Sequence, residues 1–455
     1  MTRTGLASGT RSLRLLARPW QLLCLLLGAA AALLFLYDGL RYADETQSEL
    51  RLIPYLRYDE RLDFNYFYGA ADMVLHGDAD LLYPDCSPGD YPQCSEPIHW
   101  PGDPLYSRPG VDDYTKAKAI VRGSYFGPPA IAFLQAPLAL LSFRAAYWLF
   151  SALSLGALAA FLALAWRAGR GVAEMPLFVL GVLAFVPVHE TLIMGHLAIF
   201  YTLALAGGFL LLRAGRPELA GLCLAVLALK PQWAALPALY LLMRGERRAF
   251  AVMAVASALI FFVPFLATGL DVLPRYLDFV RDVADFNLEE APHMFSWNGF
   301  LFKLGAEPVN RPLYFGLLAL SVLPLLVVWR GRDYRLGVAA TVVAMLLLSN
   351  HSVWYDWALL AVAALFLLLR SPEMSRGQRV EMWVVLLALY VAAGQSTAAL
   401  LQPDRHFVDW YREAFYSLTP VAFASLLWLA SLTLRDGGLA LVTSRRPAPR
   451  PAGGS

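Results

Sequence analysis

Charge is scarce in this 455-residue chain: 16% of its residues are Asp, Glu, Lys or Arg, against about 25% in an average soluble protein. Lysine is scarcer still, with four against 33 arginines, and cysteine occurs four times. So little charge argues against a soluble multidomain enzyme. A net charge of +2, with no basic patch interleaved with aromatics, excludes a nucleic-acid binder. There is no C-x-x-C pair or zinc-type spacing, no glycine-rich phosphate loop, no G-x-S-x-G elbow and no internal repeat. In their place 58% of the chain is hydrophobic, gathered in blocks of near membrane-spanning length. The chain therefore reads as an all-α polytopic membrane protein of about twelve transmembrane helices, in a range of about 10–13.

The first apolar run, Trp20 to Tyr37, follows Arg3, Arg11, Arg14 and Arg18 with no acid among them. By the positive-inside rule residues 1–19 are then cytoplasmic, and the length of the run favours an uncleaved helix over a signal peptide. Further spans read near 145–166, 176–194, 196–212, 218–229, 233–243, 249–268, 312–329, 336–350, 356–370, 382–401 and 415–434. Threaded alternately, they put every short arginine-bearing loop on one side, from Arg167/Arg170 to Arg370/Arg376/Arg379. That side holds 21 basic and 7 acidic residues and the rest of the chain 16 basic and 28 acidic. The transmembrane domain spans 20–434, and 435–455 reads as a disordered cytoplasmic tail.

Two outer loops are too long to be connectors, 38–127 and 269–311, and loops of that size usually carry function. In the first, Cys86 and Cys94 could form a local disulfide in an oxidising compartment or stay as two thiols. The stretch 218–243 is broken at Lys230-Pro231, and broken segments are tolerated where protein or a watery cavity satisfies the freed backbone.

Several residues in these places could carry chemistry. Asp63 begins LDFNYFYGAADMVLHG, where a helix from Phe64 to about His76 is expected, with Phe67, Ala70, Ala71, Val74 and Leu75 on one face and Asp72 on another. Asp63 reads either as the helix cap or as a general base fixed on a rigid helix start, and the two are compatible. His189, Glu190 and His196 at the outer ends of two spans suggest a metal only weakly, because Gly195 interrupts the helix; polar groups lining a cavity are the simpler reading. Lys230 lies between two apolar half-helices, where a cation is costly unless it snorkels to the surface or meets an anion. In SNHSVWYDW, residues 349–357, His351, Tyr355 and Asp356 could orient a phosphate or support a base, or form a polar belt at the membrane edge.

The ordered set D-F-x-x-F-Y-x-A-A-x-x-x-L-x-G-x-x-x-L-Y from Asp63 to Tyr83, Pro128-Pro129 with APLALL-F to 143, Gly195-His196, the run into Lys230-Pro231 and His351 to Asp356 resembles glycosyltransferase family 87. The resemblance implies a GT-C type membrane enzyme that takes a hexose, often mannose, from a polyprenyl-phosphate sugar on the non-cytoplasmic face. It implies Asp63 as general base, His351 as support for the reaction centre and Lys230 as the contact for the donor phosphate. Arg122 is a weaker phosphate candidate, and His196, Tyr66, Tyr355 and Asp356 are cavity or substrate-binding candidates. The chain departs from the family pattern at His196, where glutamine is usual, and at Gly127, where tyrosine is usual; these departures bear on the sugar and acceptor.

The expected partners are the lipid-linked donor, a lipid or glycan acceptor and the membrane, with no nucleic acid. No cofactor is expected, and a divalent metal stays open. The excess of arginine over lysine suits a GC-rich bacterial genome, so the expected location is the bacterial cytoplasmic membrane. A transporter or flippase of a lipid-linked or anionic substrate is the alternative from another class, since transporters also use broken helices. A ligase or polymerase of surface glycans shares the expected chemistry.

Overall fold

A computed structural model describes residues 63–83, 125–286, 294–303, 311–400 and 418–436. The first apolar run, both loop cysteines, Arg122 and all of the C-terminal tail beyond Asp436 lie outside the described residues. Among the described residues there is no strand, and one isolated antiparallel bridge joins Met294 to Val353.

The described residues begin with α1 (Asp63–His76), followed by α2 (Pro129–Ala139) and α3 (Phe143–Ala168). A bent pair follows, α4 (Met175–Leu183) and α5 (Val186–Met194), and then α6 (Ala198–Arg213). Next come α7 (Pro217–Ala225), extended by a 3-10 turn over Val226–Leu229, then α8 (Pro231–Met243) and α9 (Arg247–Thr268). The rest comprises α10 (Val272–Phe286), α11 (Trp297–Lys303), α12 (Arg311–Arg330) and α13 (Tyr334–Leu348), then a 3-10 segment Trp354–Leu359 running into α14 (Leu360–Arg370), α15 (Arg376–Leu400) and α16 (Leu418–Arg435). Several begin on proline at the first or second helical position, where the missing N–H costs nothing.

Among the described residues five helices are long and apolar enough to cross a membrane: Phe143–Ala168, Arg247–Thr268, Arg311–Arg330, Trp354–Glu373 and Leu418–Arg435. A sixth is reached if α4 and α5, bent by 44°, make one span. The described residues do not reach the expected twelve: the first expected span lies outside them, and several of the others are short. Pro217–Leu229 is one of these; its 13 residues cover about 20 Å at 1.5 Å per residue, less than the roughly 30 Å of a hydrocarbon core.

The bundle is layered. The span from Trp354 has 83% of its most apolar stretch buried, whereas α9 has 17%. Alpha-13 is apolar on every side, and Leu336 to Leu347 are all buried, as suits a helix enclosed by others. Leu259, Phe262, Val263 and Leu266 on α9 are exposed at helical spacing, the face a lipid-contacting helix presents.

Breaks in the helices are satisfied internally, as the bilayer requires. At the α4–α5 bend, His189 Nε2 donates to Leu183 O at 2.7 Å and Tyr390 Oη to Ala184 O at 2.8 Å. Gly195 ends α5 at φ +66°, and a Cβ there would lie 2.6 Å from Phe64 Cβ.

The arginine-bearing loops meet at one end. Arg335 reaches Glu373 at 2.7 Å, Arg370 reaches Asp436 at 3.0 Å, Arg244 donates to Gly331 O at 2.7 Å and Arg435 holds Glu381 at 2.5 Å. Exposed pairs are individually worth about 0.2–1 kcal/mol; their consequence is to tie α8, α12, α13, α14, α15 and α16 together at this end.

Alpha-1 runs from Asp63 to His76 and stops at Gly77, φ +82°, close to expectation. One expected face needs correction: Leu75, placed with the apolar residues, is 43% exposed, while Asp72 on another side is buried. The helix is not a surface element with one apolar side. From Phe64 to Met73 every residue but the partly buried Tyr66 is buried, and Tyr68 donates to Leu141 O at 2.7 Å just beyond α2.

Candidate functional site

Alpha-7 and α8 form a hairpin whose feet, Arg216 and Arg244, both belong to the arginine-bearing end. The tip at Lys230 therefore stops part-way into the protein. Leu229 closes the 3-10 turn, Lys230 leaves the helix at φ −130°, ψ 82°, and Pro231 begins the return arm. The side chain of Lys230 is 13% exposed. Its ammonium lies 4.1 Å from the ring centre of the buried Trp233 one turn on, a cation–π placement.

The partner of Lys230 is Asp356, 126 residues away, at 2.6 Å from Nζ to Oδ2. Asp356 is fully buried. The same Oδ2 accepts from Val353 N at 3.1 Å, the carboxylate half of a capping box that starts the 3-10 segment. Removing either member of such a pair leaves an uncompensated buried charge and costs about 3–5 kcal/mol.

His196 follows the left-handed Gly195. Its Nδ1 accepts from Ala198 N at 3.1 Å, so the proton of the neutral ring belongs on Nε2. The same Nδ1 stands 4.0 Å from Asp356 Oδ1, and Oδ1 accepts no hydrogen bond within the described residues. Tyr355 and Phe67 flank the imidazole, with centroids at 4.4 Å and 6.0 Å. Thr191 Oγ1 fixes Tyr355 by donating to its carbonyl at 3.1 Å.

His351 lies on the turn between α13 and the 3-10 segment. Ser349 Oγ accepts from His351 N at 3.3 Å and donates to His351 O at 2.7 Å. Phe295 N donates to Ser352 O at 2.8 Å, which holds the turn from the far side. The His351 ring centre is 6.5 Å from that of Phe126, which stacks on Phe279 of α10 at 5.6 Å. Tyr125 Oη and Tyr83 Oη fix the turn carrying Phe126 by donating to Pro128 O and Gly127 O.

Asp63 stands in the first turn of α1, half-buried, and Tyr66 follows one turn later on the same side. Their neighbours Phe64 and Phe67 pack against Gly195 and His196. The structure therefore brings the start of α1, the Gly195-His196 break, the Lys230 tip and the 349–356 turn to one place, away from the arginine loops. His189 and Glu190 are buried close by in α5, with His189 used at the helix break. Among the described residues no group of three or more His, Cys, Asp and Glu could hold a metal ion.

The family model of glycosyltransferase family 87 matches residues 125–372, more than half of the chain. The chain belongs to glycosyltransferase family 87. It is thus a membrane glycosyltransferase, an enzyme rather than a carrier. No curated protein and no solved structure matches it. The family 87 match encloses His196, Lys230, His351, Tyr355 and Asp356, and begins after Asp63, Tyr66 and Arg122.

Sequence reasoning selected Lys230 and Asp356 separately and missed that they pair. The available signal was the cost of an intramembrane ammonium, which calls for a counter-ion from another apolar segment. The aromatic residues Phe126 and Trp233 were also missed, since an aromatic in an apolar run carries no mark of its own.

Proposed function

We propose that this family 87 enzyme moves a hexose, mannose first among them, from a polyprenyl-phosphate sugar to a lipid or glycan acceptor. The site faces the extracytoplasmic side of a bacterial cytoplasmic membrane. The observation that carries this reading is the largely shielded Lys230 ammonium, 13% exposed, at the tip of a part-way hairpin, beside the packed start of α1. A lipid-linked donor brings its phosphate to the membrane on an apolar chain, where a deep cation can meet it. Lys230 has three N–H donors; Asp356 takes one, which leaves others for a phosphate oxygen.

The reaction is then a single inverting displacement. Asp63 accepts the proton of the acceptor hydroxyl, the hydroxyl oxygen attacks the anomeric carbon, and the bond to the phosphate oxygen breaks. Polyprenyl phosphate departs with the electron pair of that bond. Lys230, aided by Arg122, stabilises the charge that grows on the phosphate. His351 supports the reaction centre, and His196, Tyr66, Tyr355 and Asp356 shape the substrate site.

Membranes carrying the wild-type chain test the donor. They are incubated with an acceptor pool and either radiolabelled polyprenyl-phosphate mannose or a radiolabelled nucleotide-mannose, with synthesis of the lipid-linked sugar blocked. Label is expected in a new glycosidic product from the first donor alone. Transfer from the nucleotide sugar, or label that crosses the membrane without forming a glycosidic bond, contradicts the reading.

A further inference from the structure

Of the residues grouped at the substrate site, Asp356 has the most specific geometry: its carboxylate is fully buried and touches three separate parts of the chain. Oδ2 holds Lys230 at the hairpin tip and Val353 N in the 349–356 turn, and Oδ1 faces His196 at 4.0 Å. The backbone hydrogen bonds at the hairpin tip stay within its own arms: Lys230 N donates to Leu227 O and Trp233 N to Lys230 O. The turn that carries His351 has five residues between α13 and the 3-10 segment. One end of it is held by Phe295 N on Ser352 O, and the next peptide by Asp356 on Val353 N.

A carboxylate placed this way fixes two things at once. It limits where the ammonium can point, and it sets the start of the helical segment from which the His351 turn hangs. Its negative charge also lies against the cation that would meet a donor phosphate, so the pair meets the donor nearly neutral. A contact with substrate is the less suitable role, because both oxygens are shielded from solvent: one is used twice, and the other is closed off by the His196 ring.

We propose that Asp356 is a positioning residue, whose carboxylate clasps the hairpin tip at Lys230 to the turn carrying His351 and holds both for the transfer step. The proposal rests on reading this place as the transfer site. Asp356→Asn keeps an acceptor for Val353 N and removes the counter-ion of Lys230.

The test uses the full-length protein in detergent, with Asp356→Asn, Lys230→Met and the double variant. Each single variant is expected to melt at a lower temperature than the wild type, and the double variant to recover most of the summed loss, because neither charge is then left alone. A double variant that loses the full sum of the singles overturns the clasp. Initial transfer rates at varied donor concentration supply the second measurement. Asp356→Asn is expected to lower kcat about tenfold to a hundredfold with the donor KM unchanged or lower, since Lys230 has lost its competing anion. A raised donor KM with kcat retained makes Asp356 a substrate contact, and unchanged kinetics make the pair purely architectural; either result overturns the proposal. A wild type that transfers nothing from polyprenyl-phosphate mannose overturns the donor reading alone, and the melting comparison still decides the clasp.

Discussion

Lys230 is one of four lysines in 455 residues, and its sequence context alone marks it as costly: an ammonium between apolar half-helices. The structure resolves how the cost is met, through Asp356 at 2.6 Å and the face of Trp233 at 4.1 Å. Sequence could flag the charge because the penalty is local; it could not supply the partner, because the pairing depends on how two distant segments pack. The same division holds for His196, whose proton placement follows from one backbone bond to Ala198. A charged hydrogen bond is worth about 1.5–3 kcal/mol. Lys230→Met is therefore expected to lower kcat/KM for the donor by about tenfold to a hundredfold in an initial-rate assay. An unchanged kcat/KM would remove Lys230 from the phosphate site.

Among elements, the apolar helices were read to within a few residues. Phe143–Ala168, Arg247–Thr268 and Arg311–Arg330 stand where spans near 145–166, 249–268 and 312–329 were expected. Long apolar runs and proline starts are local signals, and they survive packing. Alpha-10 was missed and absorbed into an irregular loop, because Arg275 and Asp278 interrupt any apolar run there. Its signal is periodic instead: Val272, Tyr276 and Phe279 recur at helical spacing and are all buried. Gly195 is the element-scale residue with the sharpest consequence. A side chain there faces a left-handed φ and a 2.6 Å contact with Phe64 Cβ. Gly195→Ala is expected to destabilise the protein by about 2–4 kcal/mol, from backbone strain and overpacking together. In a detergent melt this lowers the transition temperature, and transfer falls with it because α1 loses its seat. A variant with wild-type melting and activity would mean that α1 is not held at Gly195.

At the scale of the whole molecule, the sorting of charge is the most legible property. Loops that the positive-inside rule assigned to one side come together at one end of the bundle, joined by Arg335–Glu373, Arg370–Asp436 and Arg435–Glu381. The number of complete crossings was harder to read, since an apolar run of 13 residues can be half of a hairpin as easily as a short span, and hydropathy does not separate them. The proposed sidedness gives a direct expectation. In a chain whose native cysteines are replaced, Leu270→Cys is labelled by an impermeant maleimide in intact cells, and Arg332→Cys only in inverted vesicles. The reverse pattern would turn the site towards the cytoplasm.

The central claim is that the start of α1, seated against Gly195-His196, supplies the base for transfer from a lipid-linked sugar. Asp63→Asn tests it most directly, since the change preserves size and removes the proton acceptor. Membranes with equal amounts of wild type and variant receive radiolabelled polyprenyl-phosphate mannose and the acceptor pool, and new glycosidic product is measured at early times. The account predicts product from the wild type and a loss of about a hundredfold or more in the variant, the scale of a missing general base; equal rates from both would contradict it.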